Sequence, residues 1–327
     1  MHSKTFNLEP SDEDLLSDVG DLYWSSKELT FVGIGVPIKV PLKPLELLSE
    51  MENPFANMRF ENLTGRDLLP GEGQCGFVSF PFNPKKSTQL LIPKILIGKH
   101  VSGGKWITST SRDDVTYQEL IREVRKERKE ENCAKITEMQ IESPINPEAW
   151  RDEKVRAVKD LISENKVKKV VLARELVLTA NKQIPIEAIL RKLKEKNATS
   201  MIFNIDGFIG ASPELLVSRF GNSVGANPLA GTASRHSEES VDKKLRQELL
   251  ESTKDAYEHK VTIEWLLREL LPFCSFVDAD PEPRIVSLPH VHHLGTEVTG
   301  QLSQPAVSIL ELVSALHPTP TVAGDPQ

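Results

Sequence analysis

The residues of this sequence that could do chemistry lie in short, separated runs of its second half. Lys169 stands in the run 167–178 (VKKVVLARELVL), whose β-branched content and length read as a strand. Period two places Lys169, Val171, Ala173 and Glu175 on one face, with Val170, Leu172, Arg174 and Leu176 on the other. A lysine aimed among apolar neighbours is costly unless it finds a partner or gives up its proton. A desolvated, neutral amine is a competent general base. The plainer alternative has Lys168 and Lys169 starting the strand in solvent. Glu214, in 210–217 (GASPELLV), follows a strand and has Ala211, Pro213, Leu215 and Leu216 around it. Such surroundings raise a carboxyl pKa and suit a general acid; the plainer alternative is an exposed turn glutamate.

Glu258 and His259 lie in 254–259 (KDAYEH), inside a helical pattern. Asp255 and Glu258 are three apart and share a face. Two carboxylates so placed could bind magnesium, which prefers oxygen ligands, or could simply form a solvated charged face. His259 has no second His or Cys at helical spacing, which argues against zinc. His292 and His293 are adjacent, and alternation along a strand turns only one of them inward. Residues 228–232 (PLAGT) form a turn around Gly231 that could offer backbone N–H groups to a carboxylate. Gly33 and Gly35 lack the rest of a dinucleotide fingerprint, and no GxSxG nucleophile elbow occurs.

These runs need elements to hold them. Residues 1–20 are polar and read as frayed. From residue 22 to about 97 short apolar runs alternate with Gly and Pro. Among them are 30–36 (TFVGIGV) and 77–82 (FVSFPF), which read as strands with turns. Residues 101–116 continue that character, and the highly charged 117–143 reads as an exposed helix or loop. Asn146 before Pro147, with Glu148 in the first turn, marks a helix start. Trp150, Val155, Val158, Leu161 and Ile162 then recur at helical spacing, which predicts one face packed on a core. A short helix at about 186–194 and a hairpin over 201–210, turning at Asp206-Gly207, come next. A long helix over 238–271, strands at 284–288 and 293–302, and a last helix over 305–316 complete the pattern. The expected division is a strand-rich part, 1–142, and a part holding the chemical candidates, 143–327.

A chain of 327 residues can bury one large core or two medium ones. Its 39% hydrophobic and 27% charged content is that of a soluble globular protein. The net charge of -7 argues against a nucleic-acid surface. The three cysteines, Cys75, Cys133 and Cys274, are far apart and form no CxxC pair, a reduced pattern without a zinc site. No secretory leader and no run of the roughly 20 apolar residues a membrane helix needs is present, so the cytoplasm is the expected location.

The order of these runs is more specific than any one of them. KVVLAR at 169–174, GASPELLV at 210–217, PLAGT at 228–232, KDAYEH at 254–259, HHLGTEVTG at 292–300 and HPTP at 317–320 form a series that resembles the chorismate-utilising enzymes. The LAGT and KD-x-x-EH forms look like the branch that makes isochorismate or salicylate. The anthranilate branch, by contrast, draws ammonia from an amidotransferase. The resemblance implies an α+β fold of two packed, mainly antiparallel β-sheets surrounded by helices. It implies chorismate as substrate, no amidotransferase subunit and Mg2+ as cofactor. Lys169 then matches the general base that activates water at C2, and Glu214 the general acid at the departing C4 hydroxyl. Glu258 matches a magnesium ligand, Gly231 and Thr232 the substrate cradle, and His293 a histidine near the substrate carboxylate. Ala233-Ser234-Arg235-His236 replaces the family's Pro-Arg-Gly run, keeping only the arginine. Family members also continue past HPTP with a carboxylate-binding arginine and a further metal glutamate. The expectation is a C-terminally truncated chain with weak metal binding and little turnover, or a remnant that binds a ligand or partner.

Overall fold

The computed structural model of the chain describes residues 2–17, 20–35, 37–51, 54–55, 59–110, 115–127 and 136–325. The chain forms two compact units. The first is Met1–Asn132 with Pro185–Pro213, the second Cys133–Ile184 with Glu214–Gln327. In chain order the first unit contributes β1 (His2–Asn7), β2 (Leu22–Ser25), β3 (Leu29–Ile34), β4 (Ile38–Leu42), β5 (Arg59–Asn62), β6 (Thr88–Ile92), β7 (Ile95–His100), β8 (Lys105–Thr110) and α1 (Tyr117–Glu127). The second begins with β9 (Met139–Glu142), α2 (Pro147–Ala149), α3 (Arg156–Ser163), β10 (Lys169–Val170) and β11 (Val177–Ala180). The chain returns to the first for α4 (Ile186–Lys196), β12 (Met201–Ile205) and β13 (Phe208–Ser212). It finishes in the second with β14 (Leu215–Phe220), β15 (Ser223–Asn227), β16 (Leu229–Ser234), α5 (Glu239–Glu251), α6 (Thr253–Leu270), β17 (Cys274–Ala279), β18 (Arg284–Ser287), β19 (Val291–Gly295), β20 (Val298–Leu302), α7 (Ile309–Leu316) and β21 (Gly324–Asp325).

In the first unit an eight-stranded sheet runs β13-β12-β2-β3-β7-β8-β1-β5. Its pairs are antiparallel, apart from the parallel β1–β5 edge. Alternation along β7 sends Ile95 and Ile97 to a core with Val32, Ile107, Leu120, Val124 and Leu190. Leu96 goes to a second cluster with Leu22, Phe31 and Trp106, as period two requires. Residues 1–20, expected to fray, instead supply β1, held between β8 and β5 with Ser3 and Thr5 buried. Of the charged run 117–143, α1 buries Leu120, Ile121 and Val124, so a helix with an apolar stripe replaces a fully solvated one. Cys133 and the rest of 128–135 lie outside the described residues. Run 77–82 is no strand; Phe77 makes one bridge to Leu91. The 201–210 hairpin forms as expected, with Asp206 and Gly207 both at positive φ, the conformation a two-residue hairpin turn demands.

The second unit carries a four-stranded sheet, β14-β15-β20-β17, a three-stranded sheet, β16-β19-β18, and the ribbons β10-β21 and β9-β11. Val224, Trp265, Leu266, Leu270, Val298, Leu302, Leu312 and Leu316 form its core. The α+β expectation matches this mixture of helices and antiparallel strands. Four local expectations do not hold. The strand over 167–178 survives only as β10 and β11: the Val171 N–H still donates to the Ala323 carbonyl at 2.6 Å, but residues 172–176 have no ladder partner among the described residues, and a strand exists only through its partners. The helix beginning at Pro147 is capped as expected, with Asn146 Oδ1 accepting from Glu148 N–H at 2.8 Å. It buries no residue, however, and Leu161 and Ile162 are exposed. The long helix over 238–271 is two helices, broken at Ser252 (ψ 109°). Ser252 caps α6 by accepting from Asp255 N–H at 3.2 Å. Similarly, 293–302 divides into β19 and β20, which join different sheets.

Candidate active site

The site assembles within the second unit from one pairing after another. β10 pairs with β21, Lys169 opposite Asp325, and Lys168 binds Asp325 at 3.1 Å. Lys168 is thereby held at the surface and Lys169 turned inward. The Lys169 side chain is 10% exposed, and its Nζ lies 3.1 Å from Glu258 Oε1, itself 31% exposed. Helix α6 presents Glu258, with Asp255 one turn earlier. Lys169 therefore does not stand in solvent; it is the counter-charge of Glu258.

Glu214 enters at the start of β14. Its Oε1 accepts from Leu229 N–H at 3.4 Å, and the Thr321 hydroxyl also hydrogen-bonds to it. Burial pushes the Glu214 pKa up, and the result stays raised although Thr321, Leu229 N–H and the Lys169 charge all pull it down. A carboxyl in that state holds its proton longer than usual, the property a general acid needs. Lys169 thus acts electrostatically on Glu214 while it pairs with Glu258, which places the amine and both carboxylates in one neighbourhood.

Gly231 shows why that position is glycine. Its φ is +80°, it sits at a register shift of β16 on β19, and a Cβ there would stand 3.1 Å from Asp255 Cβ and 3.4 Å from Leu294 Cδ1. The bulge lays the 229–232 backbone against α6. His293 is opposite Thr232. Its Nδ1 lies 3.0 Å from Thr232 Oγ1 and 3.2 Å from the Gly231 carbonyl. A carbonyl only accepts, so Nδ1 carries the proton and His293 is fixed in one tautomer. Gly231, Thr232 and His293 therefore form one connected group.

Three residues were not foreseen in these roles. Thr321, in a turn-rich run without periodicity, reaches Glu214. His259 is buried, bonded through Nε2 to Thr296 Oγ1 at 2.7 Å. Burial holds its pKa down, assisted by the Lys169 charge, so it remains a neutral neighbour. His292, not His293, is the fully buried member of its pair; only the alternation signal bore on which would turn inward. As folded, the α6 carboxylates Asp255 and Glu258 are both engaged by side chains of the chain itself. Glu258 is taken by Lys169, Asp255 by the Ser252 hydroxyl, and no group of three His, Cys, Asp or Glu gathers to hold a metal among the described residues. No chemical step is therefore assigned to a metal.

With this geometry in place, comparison with known proteins is informative. Residues 17–327 match the model of the chorismate binding enzyme family. This chain belongs to that family. It is 38% identical over 176 residues to isochorismate synthase DhbC of Bacillus subtilis (strain 168), covering 50% of this chain and 44% of the relative. It is also 38% identical over 184 residues to isochorismate synthase MenF of the same organism, covering 54% and 39%. The chain thus spans less than half the length of these relatives. Among solved structures, a protein assigned as a 2,3-dihydroxybenzoate-specific isochorismate synthase, DhbC, from Bacillus anthracis superposes with a TM-score of 0.74 at 28% identity, covering 97% of this chain and 78% of that one. Anthranilate synthase component I from Streptococcus pneumoniae TIGR4 shares the fold, with a TM-score of 0.67 at 18% identity. Among the described residues of this chorismate-binding family member, no helix is long and apolar enough to cross a membrane.

Proposed function

We propose that this chain carries the acid–base site of an isochorismate synthase, converting chorismate to isochorismate. The observation behind the reading is the juxtaposition of a largely buried amine, Lys169, with Glu214, a carboxyl whose burial favours its protonated form. In the proposed step the oxygen of a water bonds to ring C2, the two conjugated ring double bonds shift to C6=C1 and C4=C5, and the C4–O bond breaks. Lys169, released from Glu258, takes the proton of the incoming water. Glu214 gives its proton to the departing hydroxyl. One water enters and one leaves, so the reaction is an isomerisation without redox change. Two groups with opposite proton tasks need environments that treat their charges differently. Gly231, Thr232 and His293 are assigned to seating the substrate. The relatives' names support isochorismate as product, and the vibriobactin-specific synthase of Vibrio cholerae and the menaquinone-specific MenF of Escherichia coli mark the two uses proposed for it, a catecholate siderophore or menaquinone.

Separation of products by liquid chromatography after incubation with chorismate, with and without magnesium, tests the proposal. Isochorismate is the expected product. Salicylate with pyruvate would instead indicate a salicylate synthase. Binding of chorismate without any product would indicate a ligand-binding remnant.

A further inference from the structure

Behind the cradle lies a buried charged group that the proposed chemistry does not use. Asp242, on α5, is almost fully buried. Its Oδ1 accepts from His236 N–H at 3.0 Å and from His292 Nε2 at 3.0 Å. Arg235 donates to it through Nε and Nη2, each at 3.4 Å, and Arg246 Nε stands 3.8 Å away. The backbone N–H of His236 leads the contacts that hold the Asp242 carboxyl well below the usual range, with His292 and Arg235 adding to it. His292 has no exposed surface and spans to Ser287, Nδ1 to Oγ at 2.9 Å. Arg235 reaches past Asp242 to the Leu288 carbonyl at 3.1 Å, and its own N–H bonds to the His290 carbonyl at 3.0 Å. One carboxylate therefore ties together α5, the exit of β16 and the β18–β19 connection.

The tie bears on the cradle through strand alternation. In the register Ala233 is opposite His292 and Thr232 opposite His293. Successive side chains of β19 point to opposite faces. Fixing His292 on Asp242 fixes which way His293 turns, and His293 meets Thr232 and the Gly231 carbonyl. A one-residue slip would exchange the two histidines. A buried, hydrogen-bonded polar network is the kind of anchor that forbids such a slip.

We propose that Asp242, acting through His292, is a positioning residue that holds His293, Thr232 and Gly231 in the geometry that seats chorismate. This rests on the functional reading above. The test compares Asp242→Asn, His292→Leu and His292→Gln with the parent chain. Removing one partner of a charge-assisted hydrogen bond, with loss falling on substrate seating, should raise KM about tenfold and leave kcat within about twofold. His292→Gln, whose amide can still donate to Asp242, should recover most of the loss; His292→Leu should not. Amide hydrogen exchange of residues 229–236 without ligand is read in parallel. It should quicken in Asp242→Asn and His292→Leu, while the β14-β15-β20-β17 sheet keeps its protection. A parent chain that ignores chorismate, with the exchange pattern as expected, removes the functional reading and, with it, the seating role, but leaves the tie itself. An unchanged KM with unchanged exchange in Asp242→Asn, or a loss in kcat alone that His292→Gln fails to recover, overturns the proposal.

Discussion

Glu214 is defined by its surroundings more than by its own type. Its buried position favours the neutral acid, so the folded chain binds this proton more tightly than the unfolded chain does. Stability from this group is full below a glutamate's ordinary pKa of about 4.3 and declines as pH rises through the raised folded value. Glu214→Gln is therefore expected to raise the thermal midpoint at neutral pH, with the gain vanishing near pH 4, while cutting turnover by about 10²- to 10⁴-fold. A scan of midpoints across pH beside an activity assay separates the two effects. Gly231→Ala puts a side chain at φ +80° and 3.1 Å from Asp255, for an expected loss of about 1–3 kcal/mol in chemical denaturation. The candidate residues were legible because the sequence carries them in ordered runs, and Lys169 and Glu214 because charge in apolar company is conspicuous. What could not be read was pairing. Nothing in KVVLAR and KDAYEH says that Lys169 and Glu258 neutralise each other, since that contact joins residues far apart in sequence.

At the scale of elements, periodicity found most helices and strands, and misjudged where they stop. A long helical pattern concealed the break at Ser252, because serine has adequate helix propensity and its capping role depends on a turn that only the fold provides. Ser252→Ala should cost about 1 kcal/mol through loss of the α6 cap, readable as a lower urea midpoint at unchanged slope. Run 167–178 has strand composition throughout, but composition cannot supply a strand neighbour for residues 172–176. The β9–β11 ribbon shows the same point from the other side. Ile141 is opposite Leu178, and the two are 65% and 48% exposed. Exposed apolar strand edges invite association. The pair Ile141→Glu and Leu178→Lys should lower concentration-dependent light scattering without lowering the thermal midpoint.

For the molecule as a whole, the α+β class and the resemblance to chorismate-utilising enzymes were both available from the sequence, and the family match over residues 17–327 agrees with them. The return of Pro185–Pro213 to the first unit was not, because strand β12, itself paired with β13, joins β2 by contacts that no local pattern announces. The site candidates Lys169, Glu214, Gly231, Thr232, Glu258 and His293 all fall in the second unit, so the proposed chemistry can be tested on side chains one fold unit holds. The decisive measurement is product formation from chorismate by the parent chain beside Lys169→Ala and Glu214→Gln. Protein-dependent accumulation of isochorismate, lost in both variants while each keeps its fold by circular dichroism, is the predicted result. Isochorismate formed at the parent rate by either variant would contradict the assignment of the amine and the acid to this reaction.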